Sequence, residues 1–342
     1  MDAVTSNSSL VTRNSSLPRL GFLGVGWIGR HRMEAVAKSG FGEAVAVADP
    51  SEEMRAATAE TAPDAERLDS YEALLEQELD GVVIATPSAQ HAEQSIRALE
   101  KGLAVFCQKP VGRTATEVRR VVDAARTADL LLGVDLSYRF TDSMRALREV
   151  VQSGEVGEVF AADVVFHNAY GPDKPWFYDA ARSGGGCVMD LGIHMVDLAL
   201  WVLDFPEVAD VTSRLFAGGE PLGSDPARVE DYATARIDLE SGATVQLACS
   251  WNLPAGRDAM ISATFYGTGG GVEMHNEGGS FYDFTAERFR GTARETLTCP
   301  PDEWGGRAAV DWARRLAEGE RFDPEAERLV EVAEVLDRIY GR

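Results

Sequence analysis

The sequence predicts an α/β protein in two parts: a parallel sheet interleaved with helices, then an α+β domain on an open, mostly antiparallel sheet. Three observations carry that expectation. Short apolar runs alternate with helical stretches as far as Phe140. A glycine-rich turn joins the first strand to the first helix. Beyond that point, segments alternate apolar and polar residues with period two and are joined by short glycine turns. The chain's 342 residues suffice for two domains with sizeable cores. The expected division is a disordered tail at 1–17, a first domain at 18–140 and a second at 141–342.

Composition excludes several classes of function. A 45% hydrophobic share without an apolar run near membrane-spanning length indicates a soluble protein. A formal charge of -22 argues against nucleic acid and anionic membranes, which both reward Lys and Arg clusters. The four cysteines (Cys107, Cys187, Cys249 and Cys299) show no CxxC spacing, so reduced thiols in a cytoplasm are expected. The Ser-, Thr- and Asn-rich start lacks the basic and apolar regions of a signal peptide.

In order, the first strand is read at Leu20–Val25, followed by Gly24-Val25-Gly26-Trp27-Ile28-Gly29 and a helix to about Lys38. A second strand, Ala44–Ala48, ends at Asp49. A GxGxxG turn between strand and helix, with an acid closing the next strand, is the dinucleotide-binding fingerprint of a Rossmann domain. Asp49 suits the adenosine ribose hydroxyls. Pro50-Ser51-Glu52-Glu53 adds negative charge and no Arg for a 2′-phosphate, so NAD is expected over NADP. The alternation continues. Asp80–Ala85 leads into Thr86-Pro87, and Ser88 caps a helix carrying His91. Leu103–Phe106 delivers Gln108-Lys109-Pro110, Thr114–Ala128 is helical, and Leu130–Val134 runs into Tyr138-Arg139-Phe140. Ligands of open parallel sheets bind at the carboxyl ends of strands, where Thr86, Lys109 and Tyr138 fall.

The second part opens with a helix at Asp142–Ser153, a Gly154–Gly157 turn and a strand at Val159–His167. A long loop carries Trp176-Phe177-Tyr178 and Arg182. Further strands are expected at Asp231–Leu239, Ala243–Trp251, Met260–Tyr266, Phe281–Phe284 and Glu295–Leu297, with helices at Arg307–Ala317 and Pro324–Ile339. Between them, Gly184-Gly185-Gly186 opens a helix reaching about Leu203. Asp190 and His194 are four residues apart on it, hence on one face. A carboxylate beside an imidazole at a helix start suits proton transfer, and Asp190 one turn away is expected to favour the imidazolium and push the His194 pKa upward. The plainer alternative is an acid favouring the helix dipole and one buried histidine. Asp190, His194 and Asp197 also span one face, but no dense ligand cluster accompanies them, so no metal is expected.

These landmarks, taken in order, resemble the Gfo/Idh/MocA oxidoreductases from about Leu20 to the C-terminus: the fingerprint, Asp49, Thr86-Pro87 with His91, Lys109-Pro110, Arg139-Phe140, and the glycine run with Asp190, Gly192 and His194. The resemblance implies nicotinamide-linked oxidation or reduction of sugars, inositols and related polyols, and an open sheet in the second domain that makes a homodimer or homotetramer. It also implies that Gly24, Gly26, Trp27, Ile28, Gly29, Asp49, Thr86, Pro87, His91 and Lys109 serve the cofactor. Lys109, Asp190 and His194 are the expected catalytic set, with Tyr138, Arg139, Trp176 and Arg182 as further substrate contacts. His194 would take the hydroxyl proton while Lys109 stabilises the reacting oxygen, and the two could exchange roles. One departure stands out: the family usually carries Glu-Lys-Pro where this chain has Gln108-Lys109-Pro110, which withdraws a negative neighbour from Lys109. Two other readings remain open, a redox-cycling enzyme that retains its NAD and a nucleotide-sensing regulator without turnover.

Overall fold

A computed structural model describes residues 17–223 and 228–342. The tail expected at 1–17 thus lies, but for Leu17, outside the described residues. The first domain carries β1 (Arg19–Leu23), α1 (Trp27–Ser39), β2 (Glu43–Ala48), α2 (Glu52–Ala56), β3 (Glu66–Leu68), α3 (Tyr71–Leu75), β4 (Gly81–Ile84), α4 (Ser88–Glu100), β5 (Ala104–Cys107), α5 (Ala115–Ala128) and β6 (Leu132–Val134). Its strands are all parallel in the order β3-β2-β1-β4-β5-β6. The order reverses direction beside β1, which is where an open parallel sheet binds its ligand. β4 and β5 are buried throughout, as strands covered on both faces must be.

The second domain follows with α6 (Asp142–Gln152), β7 (Val159–Asn168), α7 (Ala180–Ser183), α8 (Ile193–Val202), β8 (Val208–Ala217), β9 (Glu220–Pro221), β10 (Tyr232–Leu239), β11 (Thr244–Ser250), β12 (Ala259–Gly267), β13 (Gly270–Asn276), β14 (Phe284–Arg290), β15 (Ala293–Thr298), α9 (Arg307–Ala317) and α10 (Arg328–Tyr340). Its nine strands run β15-β14-β13-β12-β7-β11-β10-β8-β9, antiparallel except for the β7–β11 pair. One face buries Val164, Phe166, Leu247 and Ile261 against α8, while α6 covers β13, β14 and β15. The other face stays partly open, with Met260, Tyr266, Gln246 and Arg236 on it.

Several boundaries differ from the sequence reading. Phe281 and Tyr282 lie in a loop, and the strand begins at Phe284. The run Gly267-Thr268-Gly269-Gly270-Gly271 reads as a turn in the sequence, but Gly270 and Gly271 open β13 because the hairpin turn is only Thr268-Gly269, with Gly267 facing Gly270 across it. β8 was not foreseen, since it has no clean alternation of apolar and polar residues. Ser88 is the first helical residue of α4, and Pro87 occupies the cap position. The closing helices pack on the first domain. Trp312 of α9 lies against Phe106 at 5.8 Å between ring centres, in the core of the parallel sheet, and α10 meets α5. The helical stretch Ala180–Val202 has the length and apolar character of a membrane span, which the sequence reading overlooked, yet 89% of its 18-residue apolar window is buried inside the fold.

Candidate active site

The site begins at the fingerprint turn. Gly24 has a φ of +79°, and a Cβ there would meet the Ala85 carbonyl oxygen at 2.7 Å. Only glycine allows β1 and β4 to approach so closely before α1 begins. Gly26 is different: a Cβ there would meet nothing within 4 Å. The N-terminus of α1 has no side-chain cap and no acid in its first turn. Its unpaired N–H groups and open space fit the pyrophosphate of a dinucleotide. Asp49 accepts the Val25 N–H at 3.0 Å and the Ser51 N–H at 2.9 Å, so it also pins the turn. Arg55, which the sequence reading passed over, donates to the Asp49 carbonyl oxygen. Gly24, Gly26, Trp27, Ile28, Asp49, Thr86 and Pro87 all line one cleft of about 1820 Å³. That exceeds the roughly 300–1,000 Å³ of a single small-ligand site.

Lys109 stands at the carboxyl end of β5, followed by a cis peptide bond to Pro110. It crosses to the second domain, donating from Nζ to Asp190 Oδ1 at 2.8 Å and to the Asp190 carbonyl oxygen at 2.6 Å. The Trp251 indole N–H takes the other carboxylate oxygen at 3.0 Å. Asp190 is presented by a wide π turn, Val188–Gly192, that precedes α8. The buried carboxylate of Glu230 holds that turn, accepting the N–H groups of Gly186 and Val188 and the Tyr340 hydroxyl. The expected pairing of Asp190 with His194 does not form. The π turn interrupts the regular i,i+4 spacing, and the Lys109 ammonium takes the carboxylate instead.

His194 is buried, with Nδ1 lacking a protein partner, and Tyr138 meets it edge-on at 4.9 Å between ring centres. Burial first, then the charges of Lys109 and Arg32, hold its pKa well below the ordinary imidazole value. This reverses the expectation that Asp190 pushes it upward. A neutral imidazole beside an ammonium–carboxylate pair can accept a proton while the ammonium steadies an oxyanion.

Other expected contacts are placed differently. Arg139 faces α8, where its guanidinium pairs with buried Asp197 and lies over the Trp201 and Phe205 rings. It therefore does not border the cleft. Asp197, being spent on Arg139, does not join Asp190 and His194. Arg182 is exposed on α7 and is absent from the lining. His91 borders the cleft, but its ring nitrogens lie 2.7 Å and 2.6 Å from the Pro110 and Thr86 carbonyl oxygens. It clamps two strand-end loops and serves any ligand through them. Trp176 lines the cleft and stacks on Phe177. The sequence reading missed Trp251, Arg32, Asp135, Tyr282 and Trp304. Asp135 alone carried a usable signal, since it follows strand β6 as Lys109 follows β5.

Comparisons with known proteins agree with this fold. Residues 19–136 match the oxidoreductase family with an NAD-binding Rossmann fold, and residues 144–273 match the GFO/IDH/MocA C-terminal domain. The D-glucoside 3-dehydrogenase of Escherichia coli (strain K12) is 31% identical over 246 residues, covering 68% of this chain and 69% of that protein. A levoglucosan dehydrogenase solved with NADH and L-sorbose has the same fold, with a TM-score of 0.80 at 21% identity over 95% of this chain and 96% of that one. So does KijD10, a 3-ketoreductase from Actinomadura kijaniata solved with NADP and TDP-benzene, at TM-score 0.80 and 21% identity over 95% and 98%.

Proposed function

The chain belongs to the Gfo/Idh/MocA oxidoreductases, and we propose that it is an NAD-linked dehydrogenase of a secondary alcohol on a sugar, inositol or related polyol. The observation that carries this reading is the meeting of Lys109, Asp190 and His194 in one cleft with an open dinucleotide turn. The turn at Gly24, Gly26, Trp27 and Ile28, with Asp49, would hold the dinucleotide, and its nicotinamide would supply the hydride acceptor, or the donor in reverse. The chain's own residues manage the proton and the orientation. Neutral His194 takes the hydroxyl proton as general base. Lys109 commits two ammonium hydrogens to Asp190 and retains one for the reacting oxygen, where negative charge develops. Asp190, fixed by Lys109 and Trp251, accepts from a neighbouring substrate hydroxyl. Trp176, Phe177, Tyr282 and Trp304 give the cleft flat apolar walls, suited to the C–H faces of a sugar ring and to excluding water.

The cofactor preference rests on Asp49. A 2′-phosphate there meets a carboxylate already anchored by two backbone N–H groups, with Glu52 and Glu53 next along the chain. Arg55 donates to the Asp49 carbonyl and does not line the cleft, so it is not placed to pair with a 2′-phosphate. The open face of the nine-stranded sheet, with Met260 and Tyr266 exposed, is the surface through which copies of the chain would pair. Light scattering should then give a dimer or tetramer, and Met260→Asp should shift it toward monomer. The reading as a whole is tested by NAD-dependent absorbance change against a panel of polyols, inositols, aldoses and anhydrosugars. Turnover with at least one ring alcohol is expected, and none across the panel refutes the reading.

A further inference from the structure

Gln108 follows β5 directly, and its side chain joins two neighbours at once. Its Oε1 accepts the backbone N–H of Lys109 at 3.1 Å, and its Nε2 donates to Asp135 Oδ2 at 2.7 Å. Asp135 stands just beyond β6, the strand beside β5, so the two strand ends present these residues side by side. The same Oδ2 accepts from Arg32 Nε on α1 at 2.5 Å, and the Asp135 side chain is 0% exposed. Arg32 continues to His31 Nδ1 at 2.9 Å. Gln108, Lys109, Arg32 and His31 border the cleft, whereas Asp135 lies behind them.

A carboxylate removed from water needs a counter-charge and hydrogen bonds. Arg32 supplies the first and Gln108 the second, both at Oδ2, while Oδ1 is buried without a protein partner. The balance holds only while residue 108 is neutral. A carboxylate at 108 would set two anionic oxygens at hydrogen-bond distance behind the cleft, where only one can stay ionised. The Lys109 ammonium is directed to Asp190 and pairs with neither the Gln108 side chain nor Asp135. The charged and titratable groups around the pair are Arg32 and His31 from α1, Cys107 at the end of β5, Lys109 with Asp190, and His194 beyond Arg32. Of these, only Arg32 bonds to Asp135.

We propose that Asp135 is a positioning residue of the reaction. Through Gln108 it fixes the backbone that carries Lys109, and through Arg32 it fixes a cation near His194, without touching the reacting atoms. The amide at 108 and the carboxylate at 135 are a matched pair, and their charges can be exchanged between the two positions but not duplicated. The kinetic part of this proposal rests on the dehydrogenase reading.

The test uses the full chain as Gln108→Glu, Asp135→Asn and the double variant, with thermal melts and NAD-dependent kinetics from about pH 5 to about pH 9. In Gln108→Glu the paired carboxylates retain a proton in the folded state, so their folded pKa lies above the unfolded one. Stability is then greatest at low pH and falls, relative to the parent, as pH rises through the neutral range. Turnover should fall about tenfold or more and fall furthest at high pH, while KM for NAD stays within a few-fold; one unit of pKa displacement corresponds to that factor. Asp135→Asn leaves Arg32 without a counter-charge and should lower the melt at every pH. The double variant, with a carboxylate at 108 and an amide at 135, should lose the pH slope and recover turnover to within a few-fold of the parent. A Gln108→Glu melt that parallels the parent across pH overturns the proposal, as does a double variant no better than the worse single one. Absence of parental turnover on the whole polyol panel refutes the dehydrogenase reading alone, and the pH slope of the melts still decides the matched pair.

Discussion

If His194 is the base, its environment dictates where activity responds to pH. Burial, Lys109 and Arg32 each disfavour the imidazolium, so its pKa lies well below the ordinary value. The rising limb of oxidation should therefore fall on the acid side of about pH 6.5, with no further gain from His194 above it. His194→Asn should lower turnover about 10²- to 10⁴-fold, the usual contribution of a general base, and remove the limb. Asp190→Asn takes away the counter-anion of Lys109. The ammonium then acts on His194 unopposed, so the limb moves further toward acid. Folding stability supplies a second signature. A histidine held neutral contributes nothing adverse above the unfolded pKa of about 6.5, and stability is lost as pH falls below it. The parent melt should decline in that window more steeply than the His194→Asn melt. Losing the edge-on contact with Tyr138 costs roughly 0.5–1.5 kcal/mol, so the variant should remain folded. Absorbance assays and melts on the same preparations give both signatures. A limb above about pH 6.5 that persists in folded His194→Asn would refute the assignment and move the base role to Lys109.

Lys109→Met keeps much of the side-chain bulk and removes the donor, so turnover should drop roughly 10²-fold or more. NAD affinity, followed by fluorescence quenching, should be nearly unchanged, and turnover within a few-fold of the parent removes Lys109 from the chemistry. Trp251→Phe deletes the indole donor to Asp190 and should lower kcat up to about tenfold, the net worth of one such hydrogen bond; an unchanged kcat shows that Lys109 alone holds Asp190. NAD should bind more tightly than NADP, and Asp49→Ala with Pro50→Arg should narrow or reverse the ratio. Both affinities should weaken in that variant, because Asp49 also anchors the Val25 N–H of the fingerprint turn. Equal or tighter NADP binding in the parent ends the cofactor assignment.

The parts legible in the sequence are those where one residue type answers one local demand. Gly24 must adopt a positive φ beneath Ala85, and the pattern of glycines announces it before any coordinate is known. Buried parallel strands announce themselves as unbroken apolar runs, so the strand ends carrying Thr86 and Lys109 could be placed. What could not be read depends on contacts between distant segments. Arg139 and Asp197 are 58 residues apart; Arg139 looked available for a substrate and Asp197 shared a helix face with Asp190 and His194, until α8 brought the two together. The family resemblance implied a cofactor contact for His91, yet two backbone carbonyls claim its ring. The same limit explains the wrong direction given to the His194 pKa. Sequence spacing placed Asp190 one helical turn away. Spacing cannot show that a π turn intervenes, that Lys109 takes the carboxylate, or that Arg32 adds a second cation. A neighbour in sequence acts electrostatically only with the charge its own partners leave it. For Asp190 that remainder is small, and His194 consequently answers to burial and to the two cations around it.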